Sequence, residues 1–593
     1  MCGIFGYIGK KDASSAILEG LKRLEYRGYD SWGVAVIDSN KEGIKVQKKI
    51  GAIGDLSELK DLPKSHIGIG HTRWATHGGV TTTNAHPHYS SDNSFVLAQN
   101  GIVENYQELK KELLSKGYKF ITQTDTEIIV RLVEDELKKT KDLRKAFRAA
   151  FLQLDGRNTV ILLSSVGEHV IAIRNGSPLV IGISPDESFF ASDTLSFANK
   201  TDKVVYMNDF EMVEYKDGKI NLFDVKSDKK IDTKISKLDH EDVTINKEGF
   251  EHYMLKEILD QKYTIKNAVS YTEEELRQVV AAVKKARNVY TLGAGGAFYA
   301  ADQVAYLLRT IANIPAIGLR PYEIESNKVL VQKGDLIIVI SQSGETADNL
   351  EALKQIRDKG IKIASAVNML GSTTTRISDY PFFSRTGPEL CVLSTKSGSA
   401  QMAFGYLLAK NIIGEHDEAK KSVDDLSKFL EKYLNDKFLR KIEEISTRIY
   451  KKEHAFLLGK GRNYQIANIG ALNIKEASYL HAEGFTAGEL KHGVIALIDK
   501  GTPVFSFVDD DEDNKYMIGA TAEVKARGAY VIGLSTKNNE LFDEFIELPT
   551  VSGIDAAMLA NTIPCQLFAY FIAKKRGYNP DKPRNLAKSV TVK

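Results

Sequence analysis

Asn288-Val-Tyr-Thr-Leu-Gly-Ala-Gly-Gly296 and, 166 residues later, His454-Ala-Phe-Leu-Leu-Gly-Lys-Gly-Arg462 decide how the second half of this chain folds. In each, a short apolar run enters a glycine turn and leaves it as a helical pattern. An apolar strand followed by a crossover helix is the building block of a parallel sheet. Two such segments at one offset predict two copies of one α/β unit. Between them, residues 415–450 are rich in Lys and Glu at helical spacing, which reads as solvated helix faces at the boundary between the copies.

Working outward, the first copy contains Leu336-Ile-Ile-Val-Ile-Ser-Gln-Ser-Gly-Glu-Thr346, a fully apolar strand ending in hydroxyls, with a helix expected from Ala347. Hydroxyls and free N–H groups at a helix start can surround a phosphate without any cationic side chain. The corresponding strand of the second copy, Val504-Phe-Ser-Phe-Val508, runs into Asp509-Asp-Asp-Glu512, which repels phosphate. One copy is therefore expected to bind and the other to support. Gly293-Ala-Gly-Gly296 lacks the Gly-Lys-Ser/Thr ending of a nucleotide-binding loop, and no dinucleotide fingerprint stands out, so no cofactor is called for.

The amino-terminal part has another texture. Up to about residue 235, short β-branched runs such as Ile67-Gly-Ile-Gly70, Phe95-Val-Leu-Ala98 and Thr159-Val-Ile-Leu-Leu163 alternate with turns, and helical patterns occupy about 12–24, 105–116 and 125–138. This predicts a strand-dominated α+β unit. A charged stretch at 226–247 reads as the linker to the α/β copies.

At 593 residues the chain needs several cores. Eighty basic against 78 acidic residues give a formal charge of +2, so no general attraction to nucleic acid is implied. Three widely spaced cysteines, Cys2, Cys391 and Cys565, make neither a disulfide framework nor a metal set, and a reducing cytoplasm is expected. No run of about 18 apolar residues marks a membrane span, and the N-terminus has no secretory pattern.

Cys2 follows Met1 and precedes Gly3. Removal of Met1 would leave a thiol and an α-amine on one residue, and an amine titrating near pKa 8 can accept the thiol proton directly or through water. Asn100-Gly101, at the end of an apolar run, offers a carboxamide and an unhindered backbone N–H as oxyanion donors. Arg73 and Asp125 supply the opposite charges that the two ends of a free amino acid require.

Six ordered motifs then carry a resemblance: Cys2-Gly-Ile, Glu25-Tyr-Arg-Gly-Tyr-Asp-Ser31, His71-Thr-Arg-Trp-Ala-Thr-His-Gly78, Asn84-Ala-His-Pro-His88, Asn100-Gly-Ile-Val-Glu-Asn105 and Thr124-Asp-Thr-Glu127. Together they resemble the glutaminase domain of the glutamine:fructose-6-phosphate amidotransferase family, the glucosamine-6-phosphate synthases, and the second half resembles that family's sugar-isomerase (SIS) domains. The resemblance implies an α/β multidomain chain: a four-layer α/β/β/α glutaminase domain with an N-terminal nucleophile over 1–235, a linker at 236–248, α/β/α SIS domains with parallel sheets at 249–430 and 431–579, and a catalytic tail at 580–593.

It further implies a γ-glutamyl thioester on Cys2, an oxyanion hole from Asn100 and Gly101, glutamine binding by Arg73, Thr76, His77 and Asp125, and Trp74 as a gate. For the ketose phosphate it implies Ser341, Gln342, Ser343, Thr346, Val392 and Ser394. Glu476 becomes the base that moves the C1/C2 proton, His492 opens the sugar ring from a neighbouring subunit of a homodimer, and Lys588 forms a Schiff base with the keto sugar. The implied partners are L-glutamine and a ketose phosphate, with no metal, nucleic acid or membrane.

The chain departs from the family pattern in three places. Gly296-Ala297 stands where Thr-Ser is usual, Asn473 replaces a lysine three residues before Glu476, and Ser394-Thr-Lys-Ser-Gly-Ser399 replaces a bulkier segment. These bear on the acceptor sugar and its isomerisation and motivate one alternative to fructose 6-phosphate amination, transfer to a different keto-sugar phosphate; a second alternative, a sugar-phosphate sensor without transfer, arises because such isomerase-like domains also occur as ligand sensors.

Overall fold

The computed structural model describes residues 2–591 apart from 39–42, 55–58, 60, 217 and 239–245. Met1 and most of the expected linker lie outside the described residues. The chain divides into two compact units: Met1–Ile245 with Glu345–Ala347 and Ala587–Lys593, and Asn246–Gly344 with Asp348–Leu586.

The first unit is built on two antiparallel sheets of eight and seven strands. Strand Gly3–Gly9 is internal to the first, paired on one side with Ile67–Arg73 and on the other with Glu187–Ala191. Its side chains alternate between two cores. Ile4 and Ile8 enter the layer between the sheets, where they join Val96, Ala98, Ile161 and Leu163 of the other sheet. Phe5 and Tyr7 face the helix Ala13–Leu24 through Ile17, Leu18 and Leu21. On the far face of the second sheet, Phe95, Leu97, Val160 and Leu162 pack under helices Thr126–Thr140 and Leu143–Phe151. This is the four-layer α/β/β/α arrangement. Strands buried on both faces have apolar runs instead of polar alternation, which is how they look in sequence. Each fully buried Phe, Leu or Ile contributes about 1.5–3 kcal/mol.

The helices observed at Ala13–Leu24, Tyr106–Ser115 and Thr126–Thr140 match the three expected. Leu143–Phe151 was not anticipated, although Asp142 caps it by accepting from Lys145 N at 3.0 Å. Ser236 and Lys237, read as the start of the linker, instead pair with Val204 and Lys203 at the edge of the first sheet, and Leu238 is buried in the helix-side core.

The second unit contains two five-stranded sheets, parallel throughout and identical in strand order: second, first, third, fourth, fifth. The repeat extends to backbone stereochemistry. A Cβ on Gly293 would lie 2.4 Å from Ala297 O, and one on Gly459, 166 residues on, 2.2 Å from Asn463 O. Gly295 and Gly461 share left-handed φ values of 58° and 54°. In both copies the chain turns so tightly into its helix that only glycine fits. The charged region between the copies forms helices His416–Tyr433 and Asp436–Ile449, which bury Val423, Leu426, Leu430, Ile442 and Ile445 and expose their charges.

Among the described residues one helical stretch, Ile554–Lys575, is long and apolar enough to cross a membrane, with a mean hydropathy of 1.4, but its whole 18-residue apolar window is buried in the second unit and Lys574 and Lys575 at its end are exposed. There Gly470 of helix Tyr464–Ser478 admits Cys565, since a Cβ on Gly470 would sit 2.8 Å from the sulfur. Burial pushes the Cys565 thiol up to about 12, the behaviour of an inert packing group.

Candidate active sites

In the first unit, pairing of Gly3 with Thr72 carries Cys2 to the end of strand Ile67–Arg73, beside Trp74. The Trp74 N–H donates to Cys2 Sγ at 3.3 Å, and the thiol lies 3.5 Å from the Trp74 carbonyl. The Cys2 carbonyl accepts from Asn100 Nδ2 and from Arg27 Nε, both at 3.2 Å. Burial pushes the thiol pKa up, against the pull of the Trp74 N–H and the Arg73 charge. The resting group is therefore a thiol that needs a base to become a nucleophile.

Asn100 and Gly101 end strand Phe95–Gly101, paired with Thr159 and Asn158. Gly101 has φ of 137°, and a Cβ there would lie 2.1 Å from Arg157 O, so the turn is open to glycine alone. The Asn100 amide also donates to Ser192 Oγ at 2.8 Å, and Ser192 Oγ accepts from Ile4 N at 2.8 Å. Ser192 thus ties the nucleophile strand to the donor strand.

Arg73, 3% exposed, donates to the carbonyls of His77, Gly78 and Gly79 and shapes the loop that follows it. Asp125 accepts from Val103 N at 2.8 Å; burial raises its pKa against that bond and the nearby His77 and Arg73. Trp74 and His77 are half-buried, His77 edge-on to Tyr106, and Thr76 is exposed. Trp74, Asn100 and Arg73 thus lie beside Cys2, and His77 and Asp125 lie beside Arg73.

Several residues of this site carried no assigned role in the sequence reading. Asp30 accepts from Ala75 N at 2.8 Å, and Tyr26 donates to Asp193 at 2.6 Å, with Arg27 3.5 Å from the same carboxylate. Tyr26, Arg27 and Asp30 belong to the quoted Glu25–Ser31 motif, which was the available signal. Ser192 and Asp193 had none.

In the second unit, the first and third strands of the first copy, Val289–Leu292 and Leu336–Ser341, are neighbours whose crossovers run to opposite sides. The crevice beyond their carboxyl ends is where open α/β sheets take ligands. Ser341, Gln342 and Ser343 occupy this turn. Gly344 N donates to Ser341 Oγ at 3.0 Å, and Asn368 N donates to Gln342 O at 3.0 Å. Thr346 and Lys588 are counted with the first unit, the other acceptor candidates with the second.

The loop bearing Val392 and Ser394 is moulded by two buried carboxylates that the sequence reading missed. Glu389 accepts from Thr395 N at 3.0 Å, Thr395 Oγ1 at 3.2 Å, Ser397 N at 2.9 Å and Ser397 Oγ at 2.7 Å. Glu257 accepts from Leu390 N, from Cys391 N at 3.3 Å and from Thr395 Oγ1 at 3.4 Å. Ser394 is in turn within 2.9 Å of Ser397 Oγ.

Gly296 lies where this loop meets the helix Tyr464–Ser478. A Cβ there would find only Leu472 Cδ2 at 3.7 Å and Ser394 Cβ at 3.9 Å. The same position in the second copy is Arg462, which meets Asp511 at 3.2 Å and Asp555 at 2.9 Å. Asn463 donates to Asp509 at 2.7 Å beside it, and burial raises Asp509 to about 6. The ion-paired side chain at this turn of the second copy has no counterpart at Gly296 in the first.

Glu476 is half-buried on the helix, Asn473 one turn earlier is buried with Oδ1 lacking a hydrogen-bond partner, and His492 is exposed in the short helix Glu489–His492.

The pattern of a glutamine amidotransferase domain matches residues 71–199, and that of the SIS domain matches twice, over 282–411 and 448–573. The glutamine–fructose-6-phosphate aminotransferase (isomerizing) of Pyrococcus horikoshii is 39% identical over 603 aligned residues spanning all of both chains, and that of Methanosarcina acetivorans is 38% identical over 627, again spanning all of both. The solved C-terminal domain of glucosamine-fructose-6-phosphate aminotransferase from Francisella tularensis is 31% identical, covers 57% of this chain and all of its own, and superposes with a TM-score of 0.51. With a glutaminase unit followed by two SIS copies and full-length similarity of this order, the chain belongs to the glutamine–fructose-6-phosphate aminotransferase family.

Proposed function

We propose that the protein converts D-fructose 6-phosphate and L-glutamine to D-glucosamine 6-phosphate and L-glutamate. Cys2 attacks the side-chain carbonyl carbon of glutamine, and the carbonyl oxygen becomes an oxyanion that Asn100 Nδ2 and the Gly101 N–H stabilise. The C–N bond breaks, ammonia leaves with the thiol proton, and water hydrolyses the thioester to glutamate. At the acceptor, Lys588 forms a Schiff base with the ketone, ammonia adds in its place, and Glu476 moves the proton between C1 and C2. The water consumed at Cys2 equals the water released when the amino sugar forms, so the two half-reactions balance. Arg73 and Asp125 orient the amino-acid end of glutamine, with Thr76 and His77 beside it and Trp74 over the exit.

The observation that carries this reading is the combination of a thiol beside the Asn100 strand end in one unit with two SIS copies in the other, of which only the second has an ion-paired arginine at the position of Gly296. Exposure of His492 supports its use by a second copy in a homodimer. The three free cysteines fit a reducing cytoplasm. Incubation with glutamine and a panel of ketose 6-phosphates, with products assigned by mass and NMR, tests the proposal. Glucosamine 6-phosphate as the dominant product supports it. The space at Gly296 and the unpartnered Oδ1 of Asn473 favour one specific alternative, amination of another keto-sugar phosphate, and dominance of that product would replace the proposal.

A further inference from the structure

Three histidines that the reaction does not use form a buried column behind the glutamine site. His71, His86 and His88 are 0%, 5% and 3% exposed, with ring centroids 4.3 Å and 4.7 Å apart. Burial holds all three neutral, His71 at about 3. His71 Nε2, both nitrogens of His86 and His88 Nε2 meet different partners, and among the described residues no cluster of His, Cys, Asp and Glu can hold a metal.

The hydrogen bonds of His86 fix its tautomer. Gln99 N donates to His86 Nδ1 at 3.4 Å, so Nδ1 carries no proton and Nε2 does. Nε2 therefore donates to Thr126 Oγ1 at 3.1 Å, and the Thr126 hydroxyl donates onward to Gln99 Oε1 at 2.6 Å. Gln99 Nε2 completes the chain on Asn158 Oδ1 at 2.6 Å. Gln99 immediately precedes the oxyanion donors Asn100 and Gly101, and Thr126 immediately follows Asp125. On the other flank of Asp125, Thr124 Oγ1 is 3.1 Å from His88 Nε2. His71 Nε2 donates to Gln99 O at 2.9 Å.

We infer that His86 is a positioning residue for glutamine hydrolysis, a neutral imidazole that locks the oxyanion strand to the turn carrying Asp125. The substrate spans these two pieces: its reacting carbonyl meets the strand and its ammonium meets the turn. Their separation must match one extended glutamine, and a misplacement of about 1 Å costs on the order of 100-fold in rate. His86 sets that separation because one five-membered ring accepts from the strand and donates to the turn. The inference rests on the reading that the first unit hydrolyses glutamine.

The test compares glutamate release by the full-length wild type, Thr126→Val, His86→Asn and His86→Ala. His86→Asn cuts the link from the ring to the turn while retaining an acceptor for Gln99 N, and Thr126→Val cuts that link together with the Thr126 bond to Gln99 Oε1; both raise KM for glutamine about 10-fold with kcat within about twofold. His86→Ala cuts both links, raising KM and lowering kcat about 10-fold or more. Titrating active sites with an affinity label for Cys2 normalises each rate to folded enzyme. Unchanged KM in all variants, with kcat per titrated site equal to wild type, would overturn the inference, because a purely structural histidine changes only the folded fraction. A wild type that releases no glutamate would instead defeat the glutaminase reading itself.

Discussion

Replacing Glu389 with Ala removes one carboxylate from the loop that carries Val392 and Ser394, which the proposed function sets against the acceptor. Four donors converge on this side chain, two of them backbone N–H groups, at 2.7–3.2 Å, and it is 2% exposed. Each orphaned buried N–H costs about 1–3 kcal/mol, so leaving the loop in place costs about 2–6 kcal/mol. Opening the loop to water relieves that cost but surrenders the geometry of Ser394, and re-forming it on the sugar phosphate draws on binding energy. With about 2 kcal/mol transferred in this way, KM for fructose 6-phosphate rises about 30-fold. Glutamate release from glutamine, measured on the same preparation, should keep its kcat and KM, because Glu389 lies in the second unit. Glu389→Gln, which keeps an acceptor but loses the charge, should fall between. A KM for fructose 6-phosphate within twofold of wild type in the alanine variant, with undiminished thermal stability, would refute the reasoning.

Three further outcomes follow from the same geometry. Asn100→Ala removes an oxyanion donor and should lower kcat for glutamine about 100–1,000-fold while the protein still binds fructose 6-phosphate by calorimetry. Gly296→Arg, copying the ion-paired arginine at this turn of the second copy, should abolish acceptor binding and spare glutamate release; Gly296→Ser should be tolerated, since its Cβ has ordinary contacts. Asp509 has its pKa raised to about 6 by burial, so the folded state holds its proton more tightly than the unfolded state. The resulting stability is full below the ordinary carboxylate range and is lost as pH rises through about 6. Asp509→Asn should therefore raise the melting temperature more at pH 7.5 than at pH 5, by calorimetry; an equal rise at both would contradict the assignment.

The parallel sheets were legible in sequence because their inner strands, such as Leu336–Ser341 and Pro503–Val508, are buried on both faces and each copy enters its helix through glycines that sterics require, Gly293 and Gly295 in one, Gly459 and Gly461 in the other. The hydroxyl turn at Ser341–Thr346 stood out for a similar reason: an apolar strand buried throughout ends abruptly in hydroxyl side chains. Glu257 and Glu389 were not, since a buried carboxylate reads as a surface charge until its backbone donors, set by tertiary structure, are known. Ser192 was invisible for the same reason, being one serine whose role comes from partners 188 and 92 residues away in sequence, Ile4 and Asn100, meeting at its hydroxyl. The edge pairing of Ser236 and Lys237 escaped notice because a two-residue strand of polar residues has no period to detect. His86 and His88 were quoted for resemblance alone, and only their neighbours reveal that each serves a threonine beside Asp125.

Nitrogen transfer from glutamine to the sugar is the central claim, and amide-labelled [15N]glutamine tests it most directly. With fructose 6-phosphate, the wild type should place the label on carbon 2 of glucosamine 6-phosphate, and Cys2→Ala should yield no labelled amino sugar. Label appearing only as free ammonia, or undiminished labelled product from Cys2→Ala, would contradict the account.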